Sequence, residues 1–237
     1  MTTTTSDSSE LITLAMQGCQ ALAAAGQDDM VWGHPSVRDP AGRGIWMKGS
    51  GWGFEEIDAD KIVLVTPDGN VLAGTERRHI EYPIHTEIMA RRPEIGAVVH
   101  THSEAANAFS ALDTPLRPVS HAGSLFRGED VPRFTRTGGL IKTHELGVAL
   151  ADALGDAPAC LMPQHGLVAV GKDLPTAVMT AILLDKACHA QLAAMSAGEV
   201  VRWGSTEDTI TKCADVWSDQ QLTAGWNYLL RKYARAN

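Results

Sequence analysis

The chain has 237 residues, with 28 Asp and Glu against 20 Lys and Arg and nine histidines, for a formal charge of −8. At this length it can bury a core without a disulfide or metal staple. The acidic balance argues against a general nucleic-acid or membrane-surface binder, and no apolar run approaches a membrane span. Cys19, Cys160, Cys188 and Cys213 form no C-x-x-C pair and read as buried free thiols. Residues 1–10 are rich in Thr and Ser, without the basic and apolar regions of a secretory leader. A flexible tail over 1–10, a single domain over 11–237 and a cytoplasmic location are therefore expected.

Leu11, Ile12, Ala15, Cys19 and Leu22 recur at helical spacing, predicting a helix from Ser8 or Ser9 to about Ala25, closed by Gly26. The glycine-rich stretch that follows fits short strands at Gly44 to Lys48, Lys61 to Val65 and Asn70 to Leu72. Pro67-Asp68-Gly69-Asn70 supplies a hairpin turn between the last two. Helix over Ile84 to Arg91, strand over Ile95 to His100 and helix over Glu104 to Leu112 come next. Thr143 to Leu154 reads as helix, and Ala159 to Met162 and Leu167 to Val170 as short strands around Pro163-Gln164-His165-Gly166. A long helix over Leu174 to Ala197 and an amphipathic one over Ser218 to Arg235 end the chain. Such alternation predicts one α/β domain with helices on both faces of a sheet.

Gly96-Ala-Val-Val-His-Thr-His102 is the segment richest in chemistry. Strand side chains alternate, so His100 and His102 project to one side where an apolar strand ends. Alone, that pattern suits a core histidine beside a helix cap better than a metal site. His165, at another strand-to-turn junction and followed by a glycine that permits close backbone approach, shifts the balance. Three imidazoles leave a divalent ion with an open coordination position. Glu81, just before a helix, can be a fourth ligand or a general acid or base, or simply a charge complementing the helix dipole. His85 shares its helical face and is a rival ligand.

Taken together, Glu81-x-x-x-His85, Arg92-Pro93-x-x-x-Ala97-Val-Val-His100-x-His102, Gln164-His165-Gly166 and the Gly-x-x-Ser-Val-Arg run from Gly33 to Arg38 resemble the class II aldolase/adducin family over roughly Leu11 to Glu199. The resemblance implies a three-layer α/β/α class II aldolase-like domain around a mostly antiparallel central sheet, usually in homotetramers with sites at subunit boundaries. It implies His100, His102 and His165 as ligands of one divalent metal ion per subunit, zinc before manganese, cobalt or iron. It also implies Glu81 as the catalytic acid/base.

Sugar-phosphate members of the family carry neutral hydroxyl and amide donors where this chain has His34, Lys48-Gly-Ser50 and His79-Ile80 before Glu81. That departure favours a small carboxylate anion over a phosphate, held by Lys48, Ser50 and Arg78, less certainly Arg77, with His34 and His79 beside it. Trp32, Trp46 and Trp52 are expected to flank a flat ligand, although core packing explains any one of them. The segments Trp32 to Asp39 and Arg43 to Lys48 resemble the decarboxylase branch of the family. That branch implies a hydroxylated aromatic dicarboxylate such as 3,4-dihydroxyphthalate. The alternatives are an aldolase or epimerase acting on a sugar phosphate, and a non-catalytic adducin-like scaffold. Phe126 to Pro132 is a candidate pocket loop. Tyr228 and Tyr233 are candidate contributors to a neighbouring subunit, although interface packing explains them better. His121 and His144 have no assigned role, and His189 in the long helix reads as a helix-packing residue.

Overall fold

The structure, a computed structural model, describes residues 4–236, and of residues 4–7 only the backbone. Seven strands form one sheet in the order β4-β3-β2-β1-β5-β7-β6. They are β1 (His34–Arg38), β2 (Ile45–Lys48), β3 (Ile62–Val65), β4 (Val71–Ala73), β5 (Ala97–Thr101), β6 (Ala159–Met162) and β7 (Gly166–Gly171). Every pairing is antiparallel.

The period-two alternation of these strands builds two cores. Trp46, Ile62, Leu64, Ala97, Val99, Ala159, Leu161, Leu167 and Ala169 face one side. There they meet α1 (Thr4–Ala24), α3 (Glu104–Ser110) and α5 (Leu174–Ala197), and α7 (Asp219–Ala236) packs on α1 and α5. Ile45, Met47, Val63, Val65, Val98, Cys160, Met162, Val168 and Val170 face the other, against α2 (Tyr82–Arg91) and α4 (His144–Leu154). The protein is thus a three-layer α/β/α domain with a fully antiparallel centre, as the family resemblance implies.

Local chemistry sets the boundaries. The Thr143 side chain accepts the Leu146 N–H to start α4, and Asp173 accepts the Thr176 N–H to start α5. Gly69 turns β3 into β4 at φ +81°, with the Tyr82 ring 2.6 Å from where a Cβ would sit.

Some expectations are corrected. α1 already runs from Thr4, so residues 4–10 are helical where a tail was expected, while residues 1–3 lie outside the described residues. β1 and α6 (Thr206–Val216) were not expected as regular elements. The 126–132 loop does not reach the histidines: Phe126, Arg127 and Glu129 line a cavity with Arg92 and Lys172, at the opposite end of β5 and β7. Among the described residues no helix is long and apolar enough to cross a membrane. All four cysteines are buried free thiols.

Candidate metal centre and active site

Sheet register assembles the site. His34 on β1 lies opposite His100 on β5, and Ser36 opposite Val98. Val98 belongs to the core beneath α2, so His34, Ser36 and His100 share that face. β5 then ends, and His102 follows in the chain. The β6–β7 turn supplies His165, passing through Gln164 at φ +64°. A Cβ on Gly166 would stand 2.3 Å from the Thr101 carbonyl, so only glycine lets this turn lie against β5. The C-terminal residues of β5 and this turn thereby present three imidazoles to one point.

Glu81 joins them from the N-cap position of α2. Its side chain does not cap the helix. Instead Oε1 accepts the Ile141 N–H at 2.7 Å and lies 3.4 Å from His165 Nε2, while Oε2 lies 3.9 Å from His100 Nε2. One donor atom from each of Glu81, His100, His102 and His165 lies within 4.8 Å of the others.

The outer nitrogens reveal what this cluster is built to hold. His100 Nδ1 is 2.8 Å from the Leu167 carbonyl, which can only accept, so this nitrogen carries the proton. His102 Nδ1 meets the Asp29 carboxylate at 3.0 Å, with the same result. Burial holds the His100 imidazole well below its ordinary pKa, and it lowers that of His102 against the pull of Asp29. Both neutral rings therefore turn an Nε2 lone pair inward, and those two nitrogens are 3.0 Å apart. Two lone pairs cannot bond each other; a cation between them satisfies both. Both His165 ring nitrogens are also buried without a hydrogen-bond partner. Burial alone would raise the Glu81 carboxyl. The His165 ring 3.4 Å away, the nearby His100 and the hydrogen bond from the Ile141 N–H outweigh it and bring the pKa down to about 2. An anionic carboxylate with convergent imidazoles is a donor set that fits a divalent metal ion.

A cavity of about 380 Å³ opens onto this cluster. Trp32, Gly33, His34, Ser50, Arg77, Arg78, His79, Glu81 and His102 contribute to its wall, and the half-exposed Ile80 and Leu140 to its rim. Arg78 is anchored, its Nε donating to the Gly69 carbonyl at 2.6 Å and its guanidinium 4.3 Å above the Tyr82 ring. Arg77 is exposed. The buried His79 ring lies 4.3 Å from that of His34.

Two expectations fail on strand parity. Lys48 lies two residues from Trp46 and so points to the α1 side, away from the histidines. It is fully buried, and its ammonium donates to the Val31 and Trp52 carbonyls at 2.9 and 2.5 Å. Burial pulls its pKa down to about 8. Of the three tryptophans, only Trp32 borders the cavity. Trp46 is in the core with its indole N–H on Asp39, and Trp52 packs against the same core. His85, the rival ligand, stands outside the cluster, bonded to His34 and Ser36. Asp29 and Ser36 were missed because each acts through a partner distant in sequence.

The other singled-out side chains lie elsewhere. His144 pairs with Glu87 at 3.1 Å, and His121 packs beside Trp217. Tyr233 donates to the Glu55 carbonyl, tying α7 back onto the domain, while Tyr228 is exposed.

Residues 14–192 match the family model for the class II aldolase and adducin N-terminal domain. The chain belongs to this family. It is 29% identical over 247 residues to 3,4-dihydroxyphthalate decarboxylase of Arthrobacter keyseri, covering 96% of this chain and 94% of the relative. It is 35% identical over 148 residues to decarboxylase NovR of Streptomyces niveus, covering 62% of this chain and 54% of that one. L-Fuculose 1-phosphate aldolase from Glaciozyma antarctica PI12 superposes with a TM-score of 0.84 at 26% identity, over 100% of this chain and 94% of that structure. An aldolase II superfamily protein from Pseudomonas syringae does so with the same TM-score at 27% identity, over 96% and 93%. The proteins similar to this chain thus include ones named as decarboxylases and one named as an aldolase.

Proposed function

We propose that this protein is a divalent-metal-dependent carbon–carbon lyase that decarboxylates a hydroxylated aromatic dicarboxylate such as 3,4-dihydroxyphthalate. The observation that carries the reading is the pair of inward lone pairs on His100 and His102, set beside anionic Glu81 at a cavity walled by two arginines. Resemblance to a dihydroxyphthalate decarboxylase along nearly the whole chain supports the choice of substrate class.

His100, His102 and His165 would hold the metal ion, with the Glu81 carboxylate beside them. Bound there, the ion supplies Lewis acidity toward an oxygen next to the bond that breaks. Arg77, Arg78 and Ser50 hold the substrate carboxylates, a guanidinium fork matching a carboxylate in plane. Trp32 offers a face on which the ring lies, and Ile80 and Leu140 keep the departing carboxylate away from water, which favours its loss as neutral carbon dioxide. Glu81 accepts a proton from a substrate hydroxyl on binding. When the carbon–carbon bond breaks, the electron pair stays on the ring carbon and Glu81 returns the proton there. Water restores the hydroxyl proton on release.

The competing reading, aldol cleavage or epimerisation of a sugar phosphate, draws on the likeness to fuculose phosphate aldolase. A non-catalytic scaffold would have no use for the complete donor set. The deciding experiment incubates protein loaded in turn with zinc, manganese, cobalt and iron with 3,4-dihydroxyphthalate and, separately, with fuculose 1-phosphate. Carbon dioxide released only from the first supports decarboxylation. Carbonyl products only from the second overturn it in favour of the aldolase.

A further inference from the structure

The three clustered imidazoles are not held alike. His100 lies within β5, fully buried, with Nδ1 on the Leu167 carbonyl of β7, so the sheet itself fixes the ring. His165 is buried in the β6–β7 turn. His102 follows the end of β5, and its side chain is 18% exposed. Among the described residues its outer nitrogen has a single partner, the Asp29 carboxylate at 3.0 Å. His102 is also the ring with a reason to leave. Its Nε2 lone pair faces that of His100 at 3.0 Å, and the two repel whenever no cation lies between them.

A partly exposed pair of this kind contributes little to stability by itself. What distinguishes it is the turn that delivers the carboxylate. The Asp29 carbonyl accepts the Trp32 N–H at 3.0 Å, closing a tight turn through Met30 at φ +48°, a left-handed conformation uncommon outside glycine. Gly33 follows at φ +75°, where a Cβ would stand 3.3 Å from the His100 carbonyl, so the turn lies directly against β5. Two residues before Asp29, the buried Gln27 accepts the Thr101 hydroxyl at 3.2 Å and donates to Asp185 on α5 at 3.0 Å. Thr101 stands between the two ligands and faces away from them. The segment from Gln27 to Gly33 therefore grips both faces of the strand end.

We infer that Asp29 is a positioning residue for the metal: its carboxylate holds His102 with Nε2 turned inward, so that the donor set is in place before the ion arrives. Without it, His102 turns away from His100, and an entering ion must draw the ring back at a cost in affinity. The fold and the other three donors are untouched by that loss. The inference rests on the metal site of the proposed function and not on the reaction performed there.

The test needs no turnover. Zinc affinity of the full chain is measured by competition with a chromogenic chelator for the wild type, Asp29→Ala and Asp29→Asn, the asparagine keeping an acceptor oxygen. Asp29→Ala should bind zinc about tenfold or more weakly, and Asp29→Asn should recover most of the loss. Urea midpoints of the metal-free proteins should stay together. The visible d–d bands of cobalt-loaded Asp29→Ala should differ from those of the wild type, because one imidazole is no longer held in place. Zinc affinity in Asp29→Ala within about twofold of the wild type overturns the inference. An equal loss in both variants, or a fall in urea midpoint that accounts for the loss, overturns it as well. A wild type that binds neither zinc nor cobalt removes the metal reading and this inference with it, whereas wild-type binding unmoved by Asp29→Ala removes the inference alone.

Discussion

Glu81→Gln and His100→Ala separate two jobs that one cluster performs. Removing the His100 imidazole should abolish stoichiometric metal binding and activity together, as measured by metal content after dialysis. Glu81→Gln keeps three imidazole donors and should retain most of the metal while turnover falls by about two or more orders of magnitude. Equal metal loss in both variants would make Glu81 a structural ligand only. Lys48 belongs to a different category from the one its residue type suggests. Lys48→Met leaves the Val31 and Trp52 carbonyls without their donor, so stability measured in urea should fall by about 1–3 kcal/mol while KM stays within a few-fold. A KM rise above tenfold at unchanged stability would return the lysine to the substrate.

At the scale of elements, alternation carried most of the information. β3, β5, β6 and β7 announce themselves by apolar residues on both faces, and α4 and α5 by their caps. β1 was silent because His34, Ser36 and Arg38 face one way and only Pro35 and Val37 the other, so a strand built to carry chemistry shows no hydrophobic period. α6 was silent because it buries only Thr209 and Cys213. The three clustered histidines were legible because each sits where an apolar strand stops. Lys48 was misplaced although its parity with Trp46 was readable. Asp29 could not be found, since nothing local marks a loop carboxylate that meets His102 across 73 residues. The β6–β7 turn offers a direct test. Gly166→Ala forces a Cβ to within 2.3 Å of the Thr101 carbonyl, so this turn must retreat from β5. Metal affinity should drop at least tenfold with the far-ultraviolet circular dichroism preserved; unchanged affinity would mean that His165 is not held by this contact.

For the whole molecule, the buried histidines impose a pH dependence of known sign. Burial holds His79 and His85 at about 3 in the folded protein, against an ordinary value of 6.5. Between those values the unfolded chain binds protons that the folded chain refuses. Metal-free stability should therefore decline continuously as pH falls from about 6.5 toward 3. Urea midpoints across that range check it, and His79→Gln should flatten the slope; a flat profile in the wild type would mean that these rings are protonated in the fold. We also expect a homo-oligomer, a tetramer by family resemblance, which light scattering at assay concentration would measure.

The sheet order has a consequence for how the metal is acquired. The donors arrive from the start of α2, the end of β5 and the β6–β7 turn, and β5 meets β1 and β7 only after pairings distant in the chain have closed. A nascent or denatured chain can offer an ion little more than the short His100–His102 bite. The ion is therefore a reporter of completed assembly: a chromogenic chelator should surrender metal to this protein only as fast as the chain folds.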